Sequence, residues 1–139
     1  MTCYWVIFWL GSALWILTHT FHPGNTLTML DVGQGDGICL RTEETVILVD
    51  CGSSDEKRLG EQVVEPFLKS QGISQIDYAI VSHGDKDHIS GLSYLLESSC
   101  GIRIKHLVLP WLGKEDQAYK GLVELAKEAM EQENWKQAE

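Results

Sequence analysis

The chain has 139 residues, enough for one domain and one core. Hydrophobic residues at 44% and charged residues at 22% place it among ordinary folded sequences and exclude a disordered one. The formal charge of −9 argues against a general nucleic-acid grip, which relies on Lys and Arg neutralising phosphates; a metal centre can still hold a phosphate locally in an acidic protein.

No Lys, Arg, Asp or Glu precedes Asp31, and residues 1–17 are almost wholly apolar or aromatic. As a helix rising ~1.5 Å per residue this run is about 25 Å long, and Thr18 to Phe21 make up the difference to a ~30 Å hydrocarbon core. Tyr4, Trp5, Trp9 and Trp15 suit a segment whose ends lie near a lipid interface. A signal peptide would show a basic amino-terminal region and a small-residue cleavage site, and neither is present. A core helix this uniformly apolar would need protein on all sides. Residues 1–22 are therefore expected to form a transmembrane segment, with His19 and His22 at its interface.

His22-Pro23-Gly24-Asn25 is a breaker cluster, and residues 26–139 are expected to form the folded domain. Residues 26–32 read as a strand, followed by the glycine-dense turn Gly33-Gln34-Gly35-Asp36-Gly37. Residues 38–41 resume extended structure, Thr42-Glu43-Glu44 makes a hairpin tip, and residues 45–50 are a buried strand. Leu59, Val63 and Phe67 then recur at helical spacing over residues 57–70, with Pro66 kinking or restarting the helix and Gly72 closing it. Residues 76–82 read as a strand, 89–98 as a helix, 104–109 as a strand and 117–136 as an amphipathic helix. A meander followed by alternating strands and helices predicts an α/β domain whose sheet carries helices on its outer face. Cys3, Cys39, Cys51 and Cys100 form no C-x-x-C pair and read as small buried side chains.

The strongest chemical signal is Ser82-His83-Gly84-Asp85-Lys86-Asp87-His88. Four metal-capable side chains, His83, Asp85, Asp87 and His88, follow an apolar strand directly and precede a helix. Mixed imidazole and carboxylate suit divalent cations, with zinc favoured by the histidines and manganese by the oxygens. The plainer alternative is a solvated loop with an N-capping aspartate. His106, inside an apolar strand, reads as an ordinary strand residue.

His83-x-Asp85-x-Asp87-His88 resembles the metallo-β-lactamase superfamily motif H-x-H-x-D-H, with Asp85 in place of the second His. Together with Leu30-Asp31-Val32-Gly33-Gln34-Gly35-Asp36 and Val49-Asp50-Cys51-Gly52, it is similar to the carboxy-terminal hydrolase domain of the ComEC family of competence (DNA-uptake) proteins. The resemblance covers roughly residues 26–109. It implies the amino-terminal half of an αββα sandwich, two divalent metals (Zn or Mn) and hydrolysis of a DNA phosphodiester, with single-stranded DNA, a membrane channel and the remaining half of the domain as partners at the bacterial cell membrane. By the same resemblance His83 and Asp85 would serve one metal and Asp87 and His88 the other. Asp50 would orient the metal loop, and Asp36, with Asp31, would flank the turn that walls the cleft. The family's later ligands, a His, a bridging Asp and a final His, have no counterpart here, so the chain is expected to be truncated and weak or inactive alone. Two other readings stay open: a hydrolase of small esters, lactams or thioesters on the same fold, and a non-catalytic docking element of the channel.

Overall fold

The computed structural model describes residues 2–18, 24–110 and 117–131. Helix α1, Thr2–Thr18, has 17 residues, about 25 Å at the α-helical rise. Its Trp5, Phe8, Trp9 and Trp15 side chains are exposed. Among the described residues no helix is long and apolar enough to cross a membrane, so the expected transmembrane segment over residues 1–22 is not supported. The apolar composition is present, and the 17 described helical residues reach about 25 Å against a ~30 Å core. His19 and His22 lie outside the described residues.

One five-stranded sheet follows, in the order β1-β2-β3-β4-β5: β1 Thr26–Met29, β2 Gly37–Arg41, β3 Val46–Asp50, β4 Gln75–Ile80 and β5 Arg103–Val108. β1, β2 and β3 pair antiparallel as a meander, and β3, β4 and β5 pair parallel. Thr42 closes the β2–β3 hairpin, its N–H donating to the Thr45 carbonyl at 2.8 Å while its hydroxyl oxygen accepts the Thr45 N–H at 2.9 Å.

Period-two alternation gives the sheet two unlike faces. Cys39, Leu48 and Ala79 stand in register on one face and are buried with Leu59, Val64, Leu68, Leu92, Leu95 and Leu122 of the helical segments. The opposite face carries the row Leu27, Leu40, Ile47, Tyr78, His106 and beside it Met29, Ile38, Val49, Ile80, Val108. Leu27 and Met29 are 66% and 72% exposed, so this apolar face has no helix layer over it among the described residues. Among the described residues the domain is thus a single sheet with one helical layer.

The β3–β4 connection contains a π-helical turn, Gly60–Val64, running into α2, Glu65–Ser70. Pro66 falls in the first turn of α2, where its missing N–H costs nothing. The Glu65 N–H reaches back to the Gly60 carbonyl, the wider spacing of a π turn, so the proline restarts the helix. Gly72, at φ 67°, ends it with a paired cap: its own N–H donates to the Lys69 carbonyl and that of Ile73 to the Leu68 carbonyl.

Helix α3, Lys86–Glu97, connects β4 to β5 and begins three residues before the expected 89, so that Asp87 and His88 lie on its first turn. Helix α4, Gln117–Glu131, packs on α3 through buried Leu122, Ala126 and Ala129. The expected continuation to residue 136 lies outside the described residues.

Candidate metal centre

β3 and β4 are parallel, so both deliver their following segments to one edge of the sheet. Asp50, the last residue of β3, sits at φ 53°, a left-handed conformation that Asp tolerates better than most side chains. The bend turns its carboxylate toward the loop after β4, where Oδ1 accepts the Ser82 N–H at 2.8 Å. The next residues are sewn to α3: the Cys51 N–H donates to the His88 carbonyl and the Gly91 N–H to the Cys51 carbonyl, both at 2.8 Å.

The glycine turn joins the same seam. The Gly52 N–H donates to the Asp36 carbonyl at 3.0 Å, and the Asp36 N–H donates to the Asp87 carbonyl at 3.3 Å. Such approach requires absent side chains. A Cβ on Gly52 would collide with the Asp87 and His88 backbone, and one on Gly35 would meet the Gly52 carbonyl oxygen and, at 2.6 Å, that of Asp87. Three segments remote in sequence therefore meet backbone to backbone.

On this frame His83 and His88 come into ring contact, with centroids 3.5 Å apart. His83 is exposed; its Nδ1 lies 2.9 Å from the Ser82 hydroxyl and its Nε2 3.7 Å from Asp85 Oδ2. Asp85 occupies the N-cap position of α3 but makes no capping hydrogen bond with its side chain, so the plainer reading as a helix cap does not hold there. His88 is buried. Its Nε2 faces Asp87 Oδ2 at 3.6 Å, and its Nδ1 faces Asp50 Oδ2 at 3.3 Å and Asp36 Oδ2 at 3.8 Å. Neither Nδ1 contact has hydrogen-bond geometry, which leaves this buried nitrogen unsatisfied.

All six candidate residues, Asp36, Asp50, His83, Asp85, Asp87 and His88, thus gather at one end of the sheet. They do not form a ready-made cage. Among the described residues no group of three or more His, Cys, Asp or Glu is already arranged to hold a metal ion. Asp85 faces His83 at 3.7 Å and Asp87 faces His88 at 3.6 Å, both beyond hydrogen-bond distance. The donor chemistry nonetheless suits a divalent cation, because imidazole and carboxylate alternate around two touching rings and one ring is withdrawn from water. Asp31 is exposed beside the turn, and His106 lies in β5 stacked on Tyr78 at 4.8 Å.

Several supporting residues carried no signal in the sequence. Asp55 Oδ1 accepts the Ser53 hydroxyl at 2.7 Å and the Gln34 N–H at 3.0 Å, bracing the glycine turn. The same two donors, Ser53 first, hold the Asp55 carboxyl below the usual carboxylate range. Ser90 accepts the Ser53 N–H at 3.0 Å. Tyr119 of α4 lies over Gly84, where a Cβ would come within 2.6 Å of its own, and its hydroxyl donates to the Pro110 carbonyl at 3.0 Å. Behind the site the Cys51 thiol is pushed up to about 12 by burial, with Cys39 and Asp50 adding to the effect.

ComE operon protein 3 of Bacillus subtilis (strain 168) is 36% identical over 96 residues, covering 59% of this chain and 12% of that protein. Competence protein ComA of Neisseria gonorrhoeae is 32% identical over 65 residues, covering 47% of this chain and 9% of that protein. The chain therefore spans a small fraction of the length of the curated relatives it matches. The model of the family described as the metallo-beta-lactamase superfamily matches residues 30–116, from the glycine turn through the histidine loop and β5. With that match over most of the folded domain, the chain belongs to the metallo-beta-lactamase superfamily.

Proposed function

We propose that the chain carries half of a metal-dependent phosphodiester hydrolase that acts on DNA within a competence system. The observation that carries this reading is the contact between His83 and His88, ringed by the carboxylates of Asp36, Asp50, Asp85 and Asp87. His83 with Asp85, and Asp87 with His88, would hold two divalent cations, zinc or manganese. Such cations supply Lewis-acid polarisation of the scissile phosphoryl group. The chain's own part is to keep His88 dry, to pin the His83 loop through Asp50 and Ser82, and to hold the glycine turn against α3.

The uncovered apolar face of the sheet supports a further partner. Leu27, Met29, Tyr78 and Val108 are exposed there, and the remaining half of the hydrolase domain would seat its own sheet on these rows. Association with the bacterial cell membrane, beside a channel, is part of the same reading. It draws on the competence relatives and on the exposed aromatic surface of α1; among the described residues no helix is long and apolar enough to cross.

The test is a longer protein containing this chain and the rest of the sandwich, purified without chelators. Stoichiometric zinc or manganese, together with cleavage of single-stranded DNA that Asp87→Ala abolishes, is the expected result. Absence of bound transition metal, or cleavage unchanged in that variant, overturns it. The charge of −9 favours a second reading, hydrolysis of small esters, lactams or thioesters. Turnover of such substrates with no cleavage of DNA would select it.

A further inference from the structure

We propose that Asp36 is a positioning residue for His88, its carboxylate accepting the Nδ1–H so that the ring presents the Nε2 lone pair toward Asp87 and His83. This rests on the reading of the cluster as a metal centre and names one residue's part in it. His88 is only 7% exposed, and its Nδ1 is buried without a hydrogen bond. A buried imidazole N–H left unsatisfied costs free energy, so an acceptor is needed on that edge.

Two carboxylates face it. Asp50 is the nearer, at 3.3 Å, but it is itself buried and its other oxygen is committed to the Ser82 N–H. Swinging Asp50 into line with the imidazole would draw the His83 loop with it. Asp36 has no such commitment. Its side chain is 60% exposed and 3.8 Å away, and rotation about its own side-chain bonds closes the remaining ångström or so to a hydrogen bond.

The backbone is built to allow this. Asp36 is bonded to Gly52 on one side and to Asp87 on the other, which fixes its backbone beside α3 and leaves the exposed side chain free to turn. The side-chain-free Gly35 beside it is what permits that approach. A carboxylate on Nδ1 selects the Nδ1–H tautomer and leaves Nε2 as the electron-pair donor.

The experiment uses the full chain and has two readouts. The first is the nitrogen-15 spectrum of the His88 ring in chelator-treated protein, about two units above the ordinary imidazole pKa of ~6.5, with the signal assigned by its loss in His88→Gln. Wild type should be predominantly Nδ1–H and Asp36→Ala a mixture with Nε2–H. Asp36→Asn, isosteric and neutral, should fall between them, and it keeps the test open if the alanine variant folds poorly. The second readout is the dissociation constant for Mn²⁺ or Zn²⁺ alone, expected to rise about tenfold or more in Asp36→Ala. An unchanged tautomer in both variants overturns the proposal and assigns the ring to Asp50. If wild type binds neither ion, the metal reading fails by itself, and the tautomer measurement still decides what Asp36 does.

Discussion

The carboxylate of Asp50 accepts the backbone N–H of Ser82 at 2.8 Å, tying the end of β3 to the loop that carries His83. This bond converts the parallel pairing of two strands into a fixed position for a histidine. Asp50→Ala removes a charged acceptor and places alanine in a left-handed conformation, so a loss of roughly 1.5–3 kcal/mol is expected in urea unfolding. Asp50→Asn keeps an acceptor and tolerates the backbone, and should lose less than half as much. Equal unfolding midpoints for wild type and Asp50→Ala would show that the loop is held by something else.

Glycine at position 52 is required by contact with the α3 backbone, whereas Gly121 of α4 has nothing within 4 Å of a built Cβ. Gly52→Ala should therefore destabilise by about 1–3 kcal/mol or more, since the neighbours are main chain and cannot swing aside. Gly121→Ala should stabilise by about 0.5–1 kcal/mol through helix propensity. Thermal melts of the two variants should move in opposite directions; a shared direction would contradict the packing described.

Asp77 clamps three strands. Its Oδ2 accepts the Val46 N–H of β3 at 2.8 Å and its Oδ1 accepts from Lys105 of β5 at 2.6 Å. Burial works to raise its pKa, but Lys105 and the Val46 N–H outweigh it and hold the carboxyl below the usual range. A depressed folded-state pKa adds stability that is present above the unfolded value of ~3.9 and is lost as pH falls through the folded value. Asp77→Asn should remove that part of the acid sensitivity, so the stability gap between variant and wild type should narrow below about pH 4. A gap independent of pH would argue that the carboxylate is not ionised in the clamp.

The cysteines should separate by reactivity. Cys51 is fully buried with its thiol pushed up to about 12, and Cys39 is buried and raised by burial against the opposing charge of Arg41, whereas Cys100 is half-buried. In a Cys3→Ser background at about pH 8, a thiol reagent should label Cys100 in the native protein and reach Cys39 and Cys51 only on unfolding. Native-state labelling of Cys51 would mean that the seam between β3 and α3 opens readily.

The meander, the parallel strands and the amphipathic α4 were legible because apolar runs such as Val46–Asp50 and Gln75–Ile80 alternate with Gly, Ser and Asp turns. The histidine loop was legible from residue type alone. The closeness of Asp36 to His88 was not, because only tertiary backbone bonds through Gly52 and Asp87 bring the glycine turn to α3. The first turn of α3 carries no sequence signal, because Lys86, Asp87 and His88 have no apolar periodicity. The π turn carries none either, since apolar spacing over a few residues does not distinguish it from an α-helix. In α1 the apolar composition and the helix over Thr2–Thr18 were both readable, because nothing in that run breaks a helix.

Because β3, β4 and β5 run in one direction, Cys51, Val81 and Leu109 all leave the sheet along a single rim, and the Val81 N–H meets the Val108 carbonyl there at 2.9 Å. Scaffold and chemistry are therefore separable parts. Exchanging the side chains at 83, 85 and 86, with the Ser82 amide, Gly84 and the Asp87 and His88 carbonyls retained, would re-equip the rim while leaving the load of the fold on Leu48, Ile76 and Leu92.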